Sequence, residues 1–472
     1  MRAELANALR AALEQAGIQP PETIHLEQPA RREHGDFSSN VALTSAKAAG
    51  RQPRELAQEL ADRIAAAPPP HVTAVEVAGP GFVNFRLDGT WLHDLIPTVL
   101  AAGPDYGRSD LGAGRRVMVE FVSANPTGPV HAGHARGAAF GDSLARLLEF
   151  TGHRVTREFY VNDRGVQMQL FGESLAARRD GKEPPEGGYH GRYVTEWASH
   201  MPADADPVQW GRDWALADQR RVLERMNVTF DSWFSEKEMV DTGAIERTLA
   251  DLRERGVVYE ADGAVWLRST DYGDDKDRVL VKSDGEYTYL LPDIAYHRDK
   301  FARGHDLLIN VWGADHHGYV PRMKAAVQAL GHDPSDLEVV ITQLVRLEKD
   351  GEEVKISKRS GNLITLEELL DEVGTDAVRL TYLLQSVDST QTVDLDLIVA
   401  QSNENPVFYV QMANARIRSI GRVAAERGIE RRPLEEVDLT VLEHERELEV
   451  LRQVFVLPDV VELAARERAP HK

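Results

Sequence analysis

The chain has 472 residues, with 55 lysines and arginines against 76 aspartates and glutamates, for a formal charge of −21. Hydrophobic residues at 42% and charged residues at 28% exclude a disordered chain, and the length suggests about three domains of roughly 100–200 residues. Cysteine is absent, which excludes disulfides, thiolate nucleophiles and cysteine-ligated zinc and fits a cytosolic protein.

No stretch approaches the roughly 18–20 uninterrupted apolar residues of a membrane span. Met1-Arg2-Ala3-Glu4-Leu5 opens an amphipathic pattern without the apolar core of a signal peptide. The acidic total argues against general DNA coating, while a local patch can still bind phosphates.

Ala3 to Ala16 and Pro53 to Ala66 carry helical spacing, the first stopped at Gly17 and the second at Pro68-Pro69-Pro70. Val72 to Val77 alternates as a strand, and Gly79-Pro80-Gly81 turns the chain into a second strand, Phe82 to Leu87. Residues 1–108 therefore read as a small α+β domain. Val117 to Val122 is a nearly continuous apolar run, as expected of a strand covered on both faces. A loop from Ser123 to His131, a helix from Gly133 to Phe150 and a strand from Arg154 to Val161 make a βαβ unit. That unit seeds an α/β fold with a doubly wound parallel sheet. Further strands are expected at Leu307 to Trp312 and Leu337 to Thr342, with the helix Pro321 to Ala329 between them. Between about 165 and 280 the sheet reads as interrupted by a polar, Trp-containing insertion with helices near 209–226 and 243–255. From Thr365 onward the pattern is helical, and Thr365 with Glu368 forms a capping-box pattern.

Four clusters can carry chemistry. His131-Ala132-Gly133-His134 sits where the first loop meets its helix, and a helix N-terminus holds phosphate through free N–H groups and its dipole. Gly133 would allow a nucleotide close to the backbone, and two histidines can donate to a phosphate whose charge grows during displacement. The same pair also reads as metal ligands, or as one cap and one buried ring. Lys355-Ile356-Ser357-Lys358 is a basic loop suited to a leaving pyrophosphate, or simply a solvated turn. Glu120 and Asp293 lie in or beside apolar runs read as strands, where a carboxylate needs a cation. The cation is either a protein partner, such as one of the many arginines, or a cationic substrate, for which a guanidinium's planar fork suits two carboxylates. Gly313-Ala314-Asp315-His316-His317 follows a strand, where open sheets bind ligands, and Asp315 could bind a ribose hydroxyl or an amine. A phosphoesterase metal site is the rival reading there.

In this order, these pieces resemble a class I aminoacyl-tRNA synthetase, specifically the arginyl-tRNA synthetase family, over nearly the whole chain. Glu120 to His134 resembles the HIGH signature with its upstream segment, and Lys355 to Lys358 resembles KMSKS, with Ile356 for Met and Arg359 at the last position. Phe159 to Gly165, Asp262 to Trp266, Gly273 to Arg278 and Trp312 to His317 are similar to the same family. So are His34 to Asn40 with Gly79 to Phe85, and Ser402 to Gln411.

The resemblance implies a Rossmann-type catalytic domain at 109–365, with the insertion at about 165–280, and a linker at 366–402. It implies an N-terminal domain at 1–108 touching the tRNA elbow, with Asn84 and Phe85 as candidate contacts. Residues 403–472, about 70 after Asn403, would form part of a longer helical anticodon-binding domain. His131, His134, Lys355 and Lys358 would be catalytic. Ser123 and Asn125 would hold the backbone end of L-arginine, and Glu120, Tyr289 and Asp293 would read its guanidinium. Gly133, His131, His134, Gly313, Asp315, His317 and Lys358 would contact ATP, with Mg2+ arriving as part of the nucleotide complex and no metal of the protein's own. The implied protein is an arginine–tRNA ligase, a cytoplasmic monomer acting on L-arginine, ATP and tRNA(Arg), with no DNA or membrane partner. The alternatives are a tRNA-independent arginine-activating paralogue and a non-catalytic tRNA-binding paralogue.

Overall fold

The computed structural model describes residues 1–29, 31–354 and 364–472. The Lys355–Lys358 signature therefore lies outside the described residues. The chain forms two compact units, Met1–Gly107 with Glu430–Asp459, and Arg108–Ile429 with Val460–Lys472.

In the first unit, helices Arg2–Gln15 and Pro53–Ala66 pack on an antiparallel sheet. Its central strand, Phe82–Leu87, lies between Phe37–Ser39 and Val72–Ala78. Proline at the first helical position removes an N–H that has no intrahelical partner anyway. Leu5, Leu9, Leu56, Leu60, Phe37 and Phe85 close the core. The two residues expected at the tRNA elbow are both buried within this unit. Phe85 has 0% exposure, and buried Asn84 accepts from Ser38 Oγ at 2.7 Å. Phe85 belongs to the core, and Asn84 lies on the opposite face of the same strand. Residues 430–459 cluster with this unit as well. The reason is aromatic packing, since the Phe455 ring meets Trp91 edge-on at 4.9 Å and Phe37 at 5.7 Å between centroids.

The second unit is built on five parallel strands: β1 (Arg116–Glu120), β2 (Arg154–Val161), β3 (Ser232–Ser235), β4 (Leu307–Gly313) and β5 (Leu337–Thr342). Their spatial order is β5-β4-β1-β2-β3, which is a doubly wound sheet. Helix α1 (Ala135–Phe150) follows β1 and packs with Val117, Val119 and Phe121 on one face. Helices α2 (Leu290–Ala302) and α3 (Val320–Ala329) pack with Met118 and Leu308 on the other. The chain thus leaves β1 and β4, which are neighbours, toward opposite faces, and a crevice opens beyond their carboxyl ends.

Three sequence expectations change. The insertion is not continuous, because Ser232–Ser235 returns to pair with β2 as an edge strand too short to show a period. Gln391–Asp394 is a strand in the otherwise helical tail and pairs with Val345–Lys349. The run before Asp293 is no buried strand, since helix α2 begins at Leu290 and Asp293 lies in its first turn. Pro292 fits there because the first turn has no intrahelical N–H bond to lose. The Thr365/Glu368 capping box forms as read, with both reciprocal bonds present.

Candidate active site

The loop after β1 begins with a strained turn. Val122 has φ 70° and Ser123 φ 42°, and the Ser123 N–H donates to Phe121 O at 3.0 Å across a three-residue turn. A β-branched residue in the left-handed region costs about 1–3 kcal/mol, so the surroundings must hold it there. They do so through Ser123, whose Oγ donates to Glu120 Oε1 at 3.0 Å and accepts from the Tyr160 N–H at 3.1 Å. Further along, Gln219 Nε2 donates to the carbonyls of Asn125 and Gly128, both at 3.0 Å. The exposed Asn125 side chain donates to Gln167 Oε1 at 3.0 Å. The Ala132 N–H donates to Ile364 O at 2.9 Å and the Leu366 N–H to Val130 O at 2.8 Å. The segment that follows the second signature is thereby stitched to the first.

The histidine pair sits at the head of α1. The rings of His131 and His134 lie 3.7 Å apart between centroids, tilted by 37°. A Cβ at Gly133 would come within 2.9 Å of His131 Nδ1, so glycine is what lets that ring lie over the turn. Across the crevice, the loop after β4 presents Gly313, Asp315 and His317. Asp315 is 81% exposed, and its Oδ1 lies 3.1 Å from His316 Nδ1. Among the described residues no group of three or more His, Asp or Glu side chains is placed to hold a metal ion.

Beneath the crevice lies an acidic pocket. Burial pushes the Asp293 carboxyl up to about 6, with Glu120 and Glu236 adding to the rise and Lys300 opposing it. The Tyr319 hydroxyl donates to Asp293 Oδ2 at 2.6 Å. Burial also raises Glu236, which hydrogen-bonds Tyr160 and faces Arg164 at 3.6 Å. Glu120 is already answered inside the protein, since the Lys300 ammonium donates to its Oε2 at 2.6 Å. The internal cation is a lysine. Tyr289, by contrast, is 92% exposed at the head of α2.

The structure therefore brings together Glu120, Ser123 and Asp293 in one neighbourhood. It places His131, His134, Gly133, Gly313, Asp315 and His317 on loops at the carboxyl ends of the two adjacent strands. Tyr160, Glu236, Tyr319 and Lys300 were not singled out by the sequence reading. Tyr160 and Tyr319 lay within or beside quoted runs, and Lys300 follows Asp293 by seven residues, two turns along the same helix face. Glu236 lay inside the presumed insertion and carried no local signal.

Comparisons with known proteins bear on this arrangement. A family model described as arginyl tRNA synthetase N terminal domain matches residues 3–87. One described as tRNA synthetases class I (R), catalytic domain, matches 95–186 and 209–418, and one described as DALR anticodon binding domain matches 410–472. The arginine–tRNA ligase of Bacillus subtilis is 45% identical, over 100% of this chain and 88% of that protein. Arginine–tRNA ligase 1 of Halalkalibacterium halodurans is 46% identical, with the same 100% and 88% coverage. A Campylobacter jejuni structure described as an arginyl-tRNA synthetase superposes with a TM-score of 0.73 at 36% identity, over 82% of this chain and 87% of that one.

Proposed function

The chain belongs to the arginyl-tRNA synthetase family, and on that premise we propose how its own residues carry out arginine–tRNA ligation. In the first step an oxygen of the arginine carboxylate attacks the α-phosphorus of ATP, and the bond to the β-phosphate breaks to release pyrophosphate. In the second, the terminal 2′-hydroxyl of tRNA(Arg) attacks the activated carbonyl and AMP leaves.

The observation that carries this reading is the stacking of two levels at the switch point of the sheet. The histidine pair and the Asp315–His317 loop follow the neighbouring strands β1 and β4, and the acids Glu120, Asp293 and Glu236 gather close to one another. His131 and His134 donate to the phosphate as its charge grows. Asp315, His317 and the backbone at Gly133 and Gly313 bound the nucleotide. Lys355 and Lys358 neutralise the pyrophosphate, with magnesium arriving as part of the ATP substrate. Asn125 and Ser123 face the backbone end of arginine. Asp293 is the chief partner of the guanidinium, because Tyr319 occupies one of its oxygens and leaves the rest of its lone pairs open. Glu120 assists with what Lys300 and Ser123 leave it. Binding of arginine supplies the positive charge that the Asp293–Glu236–Glu120 group lacks. The reaction runs in the cytoplasm, with the chain acting as a single copy.

Arginine-dependent exchange of pyrophosphate into ATP, with and without tRNA(Arg), tests the reading. Exchange that requires tRNA supports the ligase as drawn. Exchange without tRNA favours an enzyme that charges another acceptor, and no exchange from folded protein favours a tRNA-binding paralogue.

A further inference from the structure

Across the sheet, Asn310 of β4, Glu120 of β1, Glu158 of β2 and Ser232 of β3 stand in register. Register partners in a parallel sheet share a face and sit about 4.8 Å apart. Two carboxylates are thus side by side in a buried row, which is destabilising unless cations answer them. Both cations come from the covering segment. Arg303, just past the end of α2, grips Glu158 at 2.6 and 3.0 Å, and Tyr296 and Ser232 complete that carboxylate at 2.7 and 2.8 Å. Glu158 is accordingly a closed structural pair.

Lys300 is different. Its side chain is 0% exposed, and its ammonium donates to Glu120 Oε2 at 2.6 Å and to Asn310 Oδ1 at 2.9 Å, with the Tyr296 ring 4.2 Å away. Lysine can only donate, so Asn310 must turn its amide toward His297, whose Nε2 lies at 2.8 Å. His297 Nε2 then accepts, and its Nδ1–H donates to the Asp293 carbonyl at 2.7 Å. Burial holds this imidazole neutral by pushing it down to about 3, which agrees with that assignment. Lys300 therefore donates in two directions, through Asn310 and His297 to the backbone carbonyl of Asp293, and directly to Glu120, which also accepts from Ser123. It joins three residues of the arginine site from below.

We propose that Lys300 is a positioning residue for arginine capture, whose hydrogen bonds fix Glu120 relative to the turn bearing Asp293 and whose buried charge balances the acids gathered there. This rests on the site reading above. Lys300 does not touch the substrate. The groups facing Asp293 are Tyr319, Glu120, Glu236, Tyr160 and Lys300, and Lys300 is the cation among those that act on it most strongly. A fixed internal cation lets the pocket stay negative enough for a guanidinium without the acids neutralising one another by protonation.

The test is arginine affinity by calorimetry from pH 5 to 8.5 on the full chain. For Lys300→Met the midpoint of the pH dependence should move about one unit to the alkaline side, so affinity should fall roughly twofold at pH 7 and roughly tenfold at pH 5. Because Lys300→Met leaves Glu120 buried and unpaired, a second comparison sets E120Q/K300M against E120Q, where no acid is stranded. The double variant's midpoint should again lie alkaline of the single's. Coincident midpoints in either pair of proteins, even with a lowered melting temperature, would mean a merely structural lysine and overturn the inference. If wild type binds arginine with no midpoint that Asp293→Asn removes, the site reading itself fails and the inference falls with it.

Discussion

The Tyr319 hydroxyl donates to Asp293 Oδ2 at 2.6 Å, inside a pocket where burial has pushed that carboxyl up to about 6. The bond steadies the anion but does not offset the burial or the neighbouring Glu120 and Glu236. An acid held this way destabilises the empty protein and waits for a cation.

Asp293→Asn should therefore make the protein more stable and less functional. The folded-state value of about 6 lies above the ordinary 3.8, so the group favours folding below 3.8 and that contribution is lost as pH rises through 6. The loss at neutral pH is on the order of 3 kcal/mol. At pH 7.5 the variant should melt at a higher temperature and lose about 2 kcal/mol or more of its preference for arginine over lysine. An unaltered preference would sink the assignment.

Wild-type arginine affinity should fall as pH drops through about 6, because protonating Asp293 removes the charge that the guanidinium pairs. The guanidinium itself does not titrate in this range. Calorimetry should show roughly tenfold weaker binding per unit below the midpoint, and Asp293→Asn should flatten the curve. A pH profile that survives this substitution would assign the titration to another group.

Lys358→Ala should lower the rate of arginine activation more than it weakens arginine binding, since its charge pairs with pyrophosphate as that group leaves. Pyrophosphate exchange against arginine concentration separates the two. A raised Michaelis constant with unchanged turnover contradicts the role.

Gly141→Ala should destabilise the second unit by about 1–3 kcal/mol. A Cβ there would lie 2.2 Å from Phe121 Cγ and 2.7 Å from its Cβ, positions near the backbone that cannot swing away. Urea denaturation measures the cost, which should be smaller when Gly141→Ala is made in a Phe121→Ala background, where the clashing Cγ is gone. A neutral result would show that α1 can lift from β1 without penalty.

Much of the second unit was legible because its signals are local. Apolar runs marked β2 and β5 at their observed bounds, and Thr365 with Glu368 marked the start of a helix. The histidine pair and the loop after β4 were legible for the same reason, as short patterns at strand ends. What misled was also local. Tyr287 to Leu291 looks like a strand from composition, yet tertiary packing makes Leu290 the start of a helix that must cover the sheet. Ser232–Ser235 has too few residues to show a period, and only pairing with β2 makes it a strand.

By itself, then, the sequence determined which residue types stand at the ends of the strands and the order in which they come, because period, turn chemistry and capping act over a few residues. Only the tertiary structure decided what answers each buried charge. Lys300 reaches Glu120 across 180 positions of chain, and the turn of Asp293 toward them depends on His297 and Asn310 lying one above the other. Phe85 faces the core for a like reason, since which side of a strand is buried is settled by the helices packed against it. A buried charge is governed by whatever lies within a few ångströms, and that neighbourhood exists only once the chain has folded.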